Sequence, residues 1–176
     1  MYRKIVYFTN LTISYSIMDD MSESSKNVSG LPSLGSITTY SSGVLQAKAH
    51  RLLNRKMAEF LRPYDITCMQ WFIIGLVYDA GPKGLRLSDL MRQLDTTLPF
   101  ITNSLNLLES KRIVQKQAHP TDNRTKIVTI RSSYRPTVAK TEADLRAHLR
   151  ELLYDNDEIS PQELQAYISV LIKIAQ

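Results

Sequence analysis

Between residues 96 and 110, side chains able to bond the edge of a nucleobase recur at helical spacing. On a helical wheel Thr96, Pro99, Asn103, Asn106 and Ser110 share one face, opposite an apolar stripe of Leu98, Ile101, Leu105 and Leu108. Phe100 and Leu107 lie at the margin, and Thr97 sits at the start. The face is polar and carries no charge. An amide bonds adenine bidentately in the major groove, a hydroxyl serves most bases, and a phenyl ring packs on the thymine methyl. The plain alternative is a solvated helix face, so the surroundings of this segment must decide between the two.

Those surroundings are strongly basic. Residues 111–135 hold Lys111, Arg112, Lys116, Arg124, Lys126, Arg131 and Arg135 against Asp122 alone, a net of +6, whereas residues 136–176 are net −3 with four basic and seven acidic side chains. The whole chain carries +5 over 176 residues. Cations concentrated on one segment suit an anionic backbone, because each neutralised phosphate releases counterions. Lys116, Asp122, Asn123, Arg124 and Lys126 are the candidates for that contact. Arg124 is the sharpest of them. A narrow A·T-rich minor groove attracts an inserted arginine, and Asp122, two residues earlier, bonds loop amides and aims the guanidinium. The alternative is an exposed ion pair of little worth.

Enzymatic chemistry finds no support. His50, His119 and His148 have no metal-ligand spacing, and neither a glycine-rich phosphate loop nor a nucleophile elbow is present. No catalytic residue, metal or cofactor is expected. The single cysteine, Cys68, excludes an internal disulfide and any multi-cysteine metal site. It is either a redox sensor, which requires an exposed thiol of depressed pKa, or a buried inert thiol. No apolar run is long enough to span a membrane, and a cytoplasmic location is expected.

The elements that must position these residues follow from periodicity and caps. A helix is predicted over 37–61, with Val44, Leu45, Ala49, Leu52, Leu53, Met57, Phe60 and Leu61 at spacings of three and four, ended by Pro63. Thr67 caps a second helix over 68–78, with Trp71, Ile74, Gly75 and Tyr78 on one stripe. Ser88 caps a short helix over 89–94. Asp95-Thr96-Thr97 forms a tight turn, and the next helix covers 98–110 with Pro99 in its first turn. Strands over 113–118 and 126–130 flank a polar tip, His119 to Thr125, and form a β-hairpin. A long helix is predicted over 136–154. Ser160-Pro161-Gln162-Glu163 then opens a last helix carrying Leu164, Tyr167, Ile168, Leu171 and Ile174. The chain therefore reads as mainly α with a small β-hairpin wing: a winged helix-turn-helix over 64–135, flanked by helices over 37–62 and 136–176. Residues 1–36 read as a flexible or mis-assigned leader, rich in Ser, Asp, Gly and Pro from 19 onward, with Met18 or Met21 as alternative starts.

Residues 37–176 resemble the MarR family of winged helix-turn-helix transcription regulators. The order of elements carries the resemblance, together with the run Leu107-Leu108-Glu109-Ser110-Lys111-Arg112-Ile113-Val114-Gln115-Lys116 and then His119-Pro120-Thr121-Asp122-Asn123-Arg124. It implies a homodimer whose first and last helices pair about a two-fold axis. It also implies a pseudo-palindromic double-stranded DNA operator read by one winged helix per half-site, and Arg124 in the minor groove steadied by Asp122. Four positions depart from the family pattern. Arg112 replaces a glycine and requires either altered wing geometry or a left-handed backbone. His119 replaces an acidic or amide residue, Asn103 a frequent arginine, and Tyr134 a glycine.

The dimer is also expected from the residues. Leu45 and Leu52, with Leu164, Ile168 and Leu171, make apolar stripes at the two ends of the chain, and such stripes must be buried, within the protomer or between two. The family resemblance further implies a small, often aromatic effector bound between the dimer helices and the winged helix. Tyr64, Met57, Trp71 and Phe72 are either its lining or simply core. A ligand-responsive repressor is the expected function. The alternative is a degenerate winged helix that only dimerises or docks on a protein.

Overall fold

A computed structural model describes residues 37–119, 122–153 and 159–175, with the side chains of 119, 122–125 and 153 outside that description. The leader and the hairpin tip at 120–121 therefore lie outside the described residues.

Helix α1 spans Thr39–Leu61, and Thr38 caps it by accepting the Ser41 N–H at 3.3 Å. It begins two residues later than the apolar pattern suggests, because the cap rather than the first apolar side chain sets the boundary. Arg62–Tyr64 form a turn of 3-10 helix containing Pro63. Helix α2, Cys68–Asp79, opens on a capping box in which Thr67 Oγ1 accepts the Gln70 N–H at 3.2 Å and Gln70 Oε1 accepts the Thr67 N–H at 3.1 Å. It buries more than the expected stripe. Ile73, Leu76 and Val77 join Trp71 and Ile74 in the core, so α2 is covered nearly all round.

Helix α3, Leu87–Gln93, starts before the expected cap. Arg86 occupies the N-cap without a side-chain hydrogen bond, and Ser88 lies inside the helix. The reason is a strand that the sequence pattern did not reveal. Leu85–Arg86, β1, pairs antiparallel with β3, Asp122–Ile130, through Leu85↔Val128 and Arg86↔Ile127. Gly84 permits this approach. Its φ is +62°, and a Cβ built there would stand 2.3 Å from the Val128 carbonyl oxygen. Strand β2, Val114–His119, flanks β3 on its other side, giving the sheet order β1-β3-β2. Strand β2 is shifted one residue toward the tip, and β3 begins four residues earlier than expected. His119 pairs with Asp122 after a bulge at Ala118/His119, so the polar stretch read as an elongated tip is largely strand backbone.

Helix α4, Leu98–Ser110, has the expected bounds. Helix α5, Arg135–Leu153, follows a 3-10 turn at Ser132–Tyr134, and the Arg135 guanidinium lies 4.4 Å from the centre of the Tyr78 ring, tying α5 to α2. Helix α6, Pro161–Ile174, opens on the expected Ser160/Glu163 capping box. The core joins α2 (Ile73, Ile74, Val77), α3 (Leu90), α4 (Ile101, Leu105, Leu108) and the sheet (Val114, Val128), all fully buried. Burial of this kind contributes roughly 1.5–3 kcal/mol per large aliphatic side chain. The terminal helices differ. Leu61 is the only buried residue of α1, and α6 has none.

Candidate nucleic-acid interface

Helices α3 and α4 meet through a turn whose backbone is closed locally. The Thr96 N–H donates to the Met91 carbonyl at 3.1 Å, and Asp95 takes the left-handed conformation, φ +45°, that this reversal needs. Thr97 is the N-cap of α4, but its side chain makes no cap bond, which leaves the hydroxyl uncommitted. Leu90, Ile101, Leu105 and Leu108 lock the two helices together.

Packing of this stripe leaves the opposite face of α4 outward. Thr97, Pro99, Phe100, Asn103, Asn106, Leu107 and Ser110 are exposed, and Thr96 is half-buried. Leu98, assigned to the apolar stripe by its spacing, is instead 48% exposed: it stands in the first turn, ahead of the point where α4 meets the core. Ser104 takes a buried place on the packed side.

At its far end α4 closes in a Schellman turn. The Ile113 N–H donates to the Leu108 carbonyl at 3.0 Å and the Arg112 N–H to the Glu109 carbonyl at 2.9 Å. Arg112 accordingly adopts φ +59°, the left-handed alternative, and the hairpin enters in ordinary register.

Two basic residues beside α4 are engaged within the chain. Lys116 Nζ contacts Glu109 Oε2 at 2.8 Å and also donates to Asn106 Oδ1, while the Lys116 N–H donates to Glu109 Oε1 at 3.1 Å. Lys111 Nζ contacts Asp65 Oδ2 at 2.8 Å and donates to the Asp65 carbonyl as well. The hydrogen bond from Lys116, aided by Arg131, holds the Glu109 carboxyl below the usual carboxylate range. Lys116, a candidate for phosphate contact, thus sits in a clamp joining α4 to β2. Neither Glu109 as the partner of Lys116 nor Asp65 as the partner of Lys111 is marked by periodicity, because each pair joins different elements, across a reversing turn or 46 residues apart. Lys126 is exposed on β3. Asp122, Asn123 and Arg124 belong to β3 by backbone, and their side chains lie outside the described residues.

Of the expected dimer residues, Leu45 is 63%, Leu52 38% and Leu171 44% exposed, while Leu164 and Ile168 are half-buried. The proposed effector lining is mostly occupied by packing. Trp71 is core, Met57 and Phe72 pack against it, and Tyr64 stacks on Phe60 at 6.0 Å. Cys68 donates its thiol to the Asn54 carbonyl at 3.3 Å, and burial pushes its pKa up, the opposite of what a reactive sensor thiol needs. Among the described residues no helix is long and apolar enough to cross a membrane, and no group of three or more His, Cys, Asp or Glu side chains is placed to hold a metal ion.

No family model matches the sequence. Solved structures do match the architecture. The MepR–DNA complex of S. aureus superposes with a TM-score of 0.63 at 24% identity, covering 78% of this chain and 97% of that one. CouR from Rhodococcus jostii RHA1, bound to p-coumaroyl-CoA, gives 0.67 at 16% identity over 76% and 91%. A MarR family transcriptional regulator from Rhodococcus sp. RHA1 gives 0.70 at 14% identity over 80% and 96%. The chain has the MarR-like winged-helix fold.

Proposed function

We propose that this chain is a sequence-specific double-stranded DNA-binding transcription regulator, working in the cytoplasm as a homodimeric, ligand-responsive repressor, and not an enzyme. The observation that carries the reading is the outward face of α4. It is polar and uncharged, it is held rigidly by a buried stripe, and it leads into residues 111–135, the hairpin and its flanks, which carry a net of +6. A helix of this kind enters a major groove about 12 Å wide while the wing lies along the backbone, with Arg124 at the minor groove.

The homodimer is supported by apolar surface that the protomer leaves uncovered. Tyr40, Leu45, Tyr167, Leu171 and Ile174 are 76%, 63%, 49%, 44% and 76% exposed on α1 and α6. Apolar helix faces of this extent mark association surfaces. MepR was solved on DNA and CouR with p-coumaroyl-CoA. By analogy of fold, the DNA supports an operator for this chain and the thioester a small aromatic effector.

Purified protein titrated with its own upstream intergenic duplex, across a salt series, tests the reading. Tight saturable binding is expected, with a steep salt slope that flattens in Arg124→Ala. The effector clause is withdrawn if no aromatic carboxylate or thioester shifts operator affinity. A second reading has one observation in its favour: Leu98, Phe100 and Leu107 give α4 an exposed apolar side, as a protein-docking helix would have. Under that reading wild type binds the upstream fragment no better than random duplex.

A further inference from the structure

Resting on the DNA-binding reading above, we propose that α4 reads A·T base pairs, through an adenine-directed amide at Asn103 and apolar contacts to thymine methyl groups, and makes no bidentate guanine contact. The commonest reader of guanine O6 and N7 is an arginine or lysine fork. From Asp95 through Ser110 the chain holds neither. The neighbouring cations do not fill the gap. Arg92 is paired with Asp89 at 2.9 Å, Lys111 with Asp65 at 2.8 Å, and Lys116 with Glu109 at 2.8 Å. Arg112 stands past the end of α4 in the reversing turn.

What faces outward is the complement of A·T pairs. Asn103 is exposed and has no side-chain partner among the described residues, so its amide offers the donor and acceptor that adenine N7 and N6 require. Asn106 has its oxygen taken by Lys116, which leaves only the NH₂, a single donor that serves any purine N7, guanine O6 or thymine O4 and does not itself choose the base. Phe100 and Leu107 are 41% and 53% exposed beside these amides. Of the four bases only thymine presents a methyl group for them to cover in the major groove.

Selection of duplexes from a random library by the full chain, repeated with Asn103→Ala and Phe100→Ala, tests this. Both side chains are exposed and alanine is the best helix former, so the variants fold. Base preferences that relax in a variant mark the positions α4 reads. Adenine and thymine are expected there, with discrimination falling about five- to 150-fold when Asn103 is removed. Guanine at those positions overturns the proposal and leaves the DNA-binding reading intact, whereas enrichment of no sequence at all overturns both. Replacing thymine by uracil in the selected duplex is expected to weaken wild type about fourfold per lost methyl contact, and to weaken Phe100→Ala by one such factor less, the Leu107 contact remaining. No loss in wild type overturns the methyl contacts, and an equal loss in both overturns the one assigned to Phe100.

Discussion

Replacing Gly84 by alanine separates two costs that usually come together. The backbone there has φ +62° and ψ −169°, a region essentially reserved for glycine, and a side chain held in it costs about 1–3 kcal/mol. The added Cβ would also stand 2.3 Å from the Val128 carbonyl oxygen and 2.7 Å from both Ile127 Cγ2 and Thr129 Cγ2. Backbone cannot yield as a flexible side chain does. β1 must lift from β3, giving up ladder hydrogen bonds worth about 0.5–1.5 kcal/mol each. Together these put Gly84→Ala at about 3–5 kcal/mol, a large share of the roughly 5–15 kcal/mol that stabilises an ordinary domain. Gly81→Ala is the control: its φ is +66°, but nothing lies within 4 Å of its Cβ. It pays the conformational cost alone, about 1–2 kcal/mol. Urea unfolding at fixed protein concentration reads both variants, through shifts in midpoint at unchanged slope. DNA binding should fall with stability in Gly84→Ala, because β1 is the element through which α3 and the wing share a sheet. Equal destabilisation of the two variants would refute the assigned β1–β3 contact.

Four further outcomes follow from particular residues. Lys116→Ala should lower stability by about 1 kcal/mol and leave the salt slope of DNA binding unchanged, since the ammonium is held by Glu109 and Asn106. Lys126→Ala, at an exposed wing position, should leave stability alone and reduce the slope by about one. Arg112→Gly should stabilise the protein by about 0.5–1 kcal/mol in thermal or urea melts, the relief of a left-handed φ of +59° outweighing the added freedom of glycine. Glu109 has its folded pKa lowered, chiefly by the Lys116 hydrogen bond, so its contribution is fully present above the unfolded carboxylate value of about 4.3 and is lost as pH falls through the folded value. Stability measured from pH 7 down to pH 3 should therefore fall less steeply in Glu109→Gln than in wild type.

What was legible in the sequence was local. The Thr67 cap and the Ser160/Glu163 capping box are signals spanning a few residues, and both helices begin where they place them. The bounds of α4 and the outward positions of Asn103 and Asn106 follow from one period of 3.6 residues. What was illegible depends on distant backbone. A strand of two residues has no alternation to detect, and β1 exists because Gly84 lets it approach β3. Periodicity assigned Leu98 to the core without registering that the first turn overhangs it. The hairpin strands outran their apolar cores because ladder bonds recruit polar residues as readily as apolar ones. The pairing of Lys116, a candidate for phosphate contact, with Glu109 gives no sequence signal, because the two stand seven residues apart across a reversing turn. Resolving Arg112 needed the backbone angle itself, which no composition reveals.

The most direct test of the central claim is the ratio of affinities for a selected duplex and for the same duplex scrambled, measured at one physiological salt concentration. A sequence-reading α4 is expected to give a ratio of about 10³ or more. A ratio near one, with ordinary salt-dependent binding to both duplexes, would contradict it and reduce the chain to a basic surface that touches phosphate without reading bases.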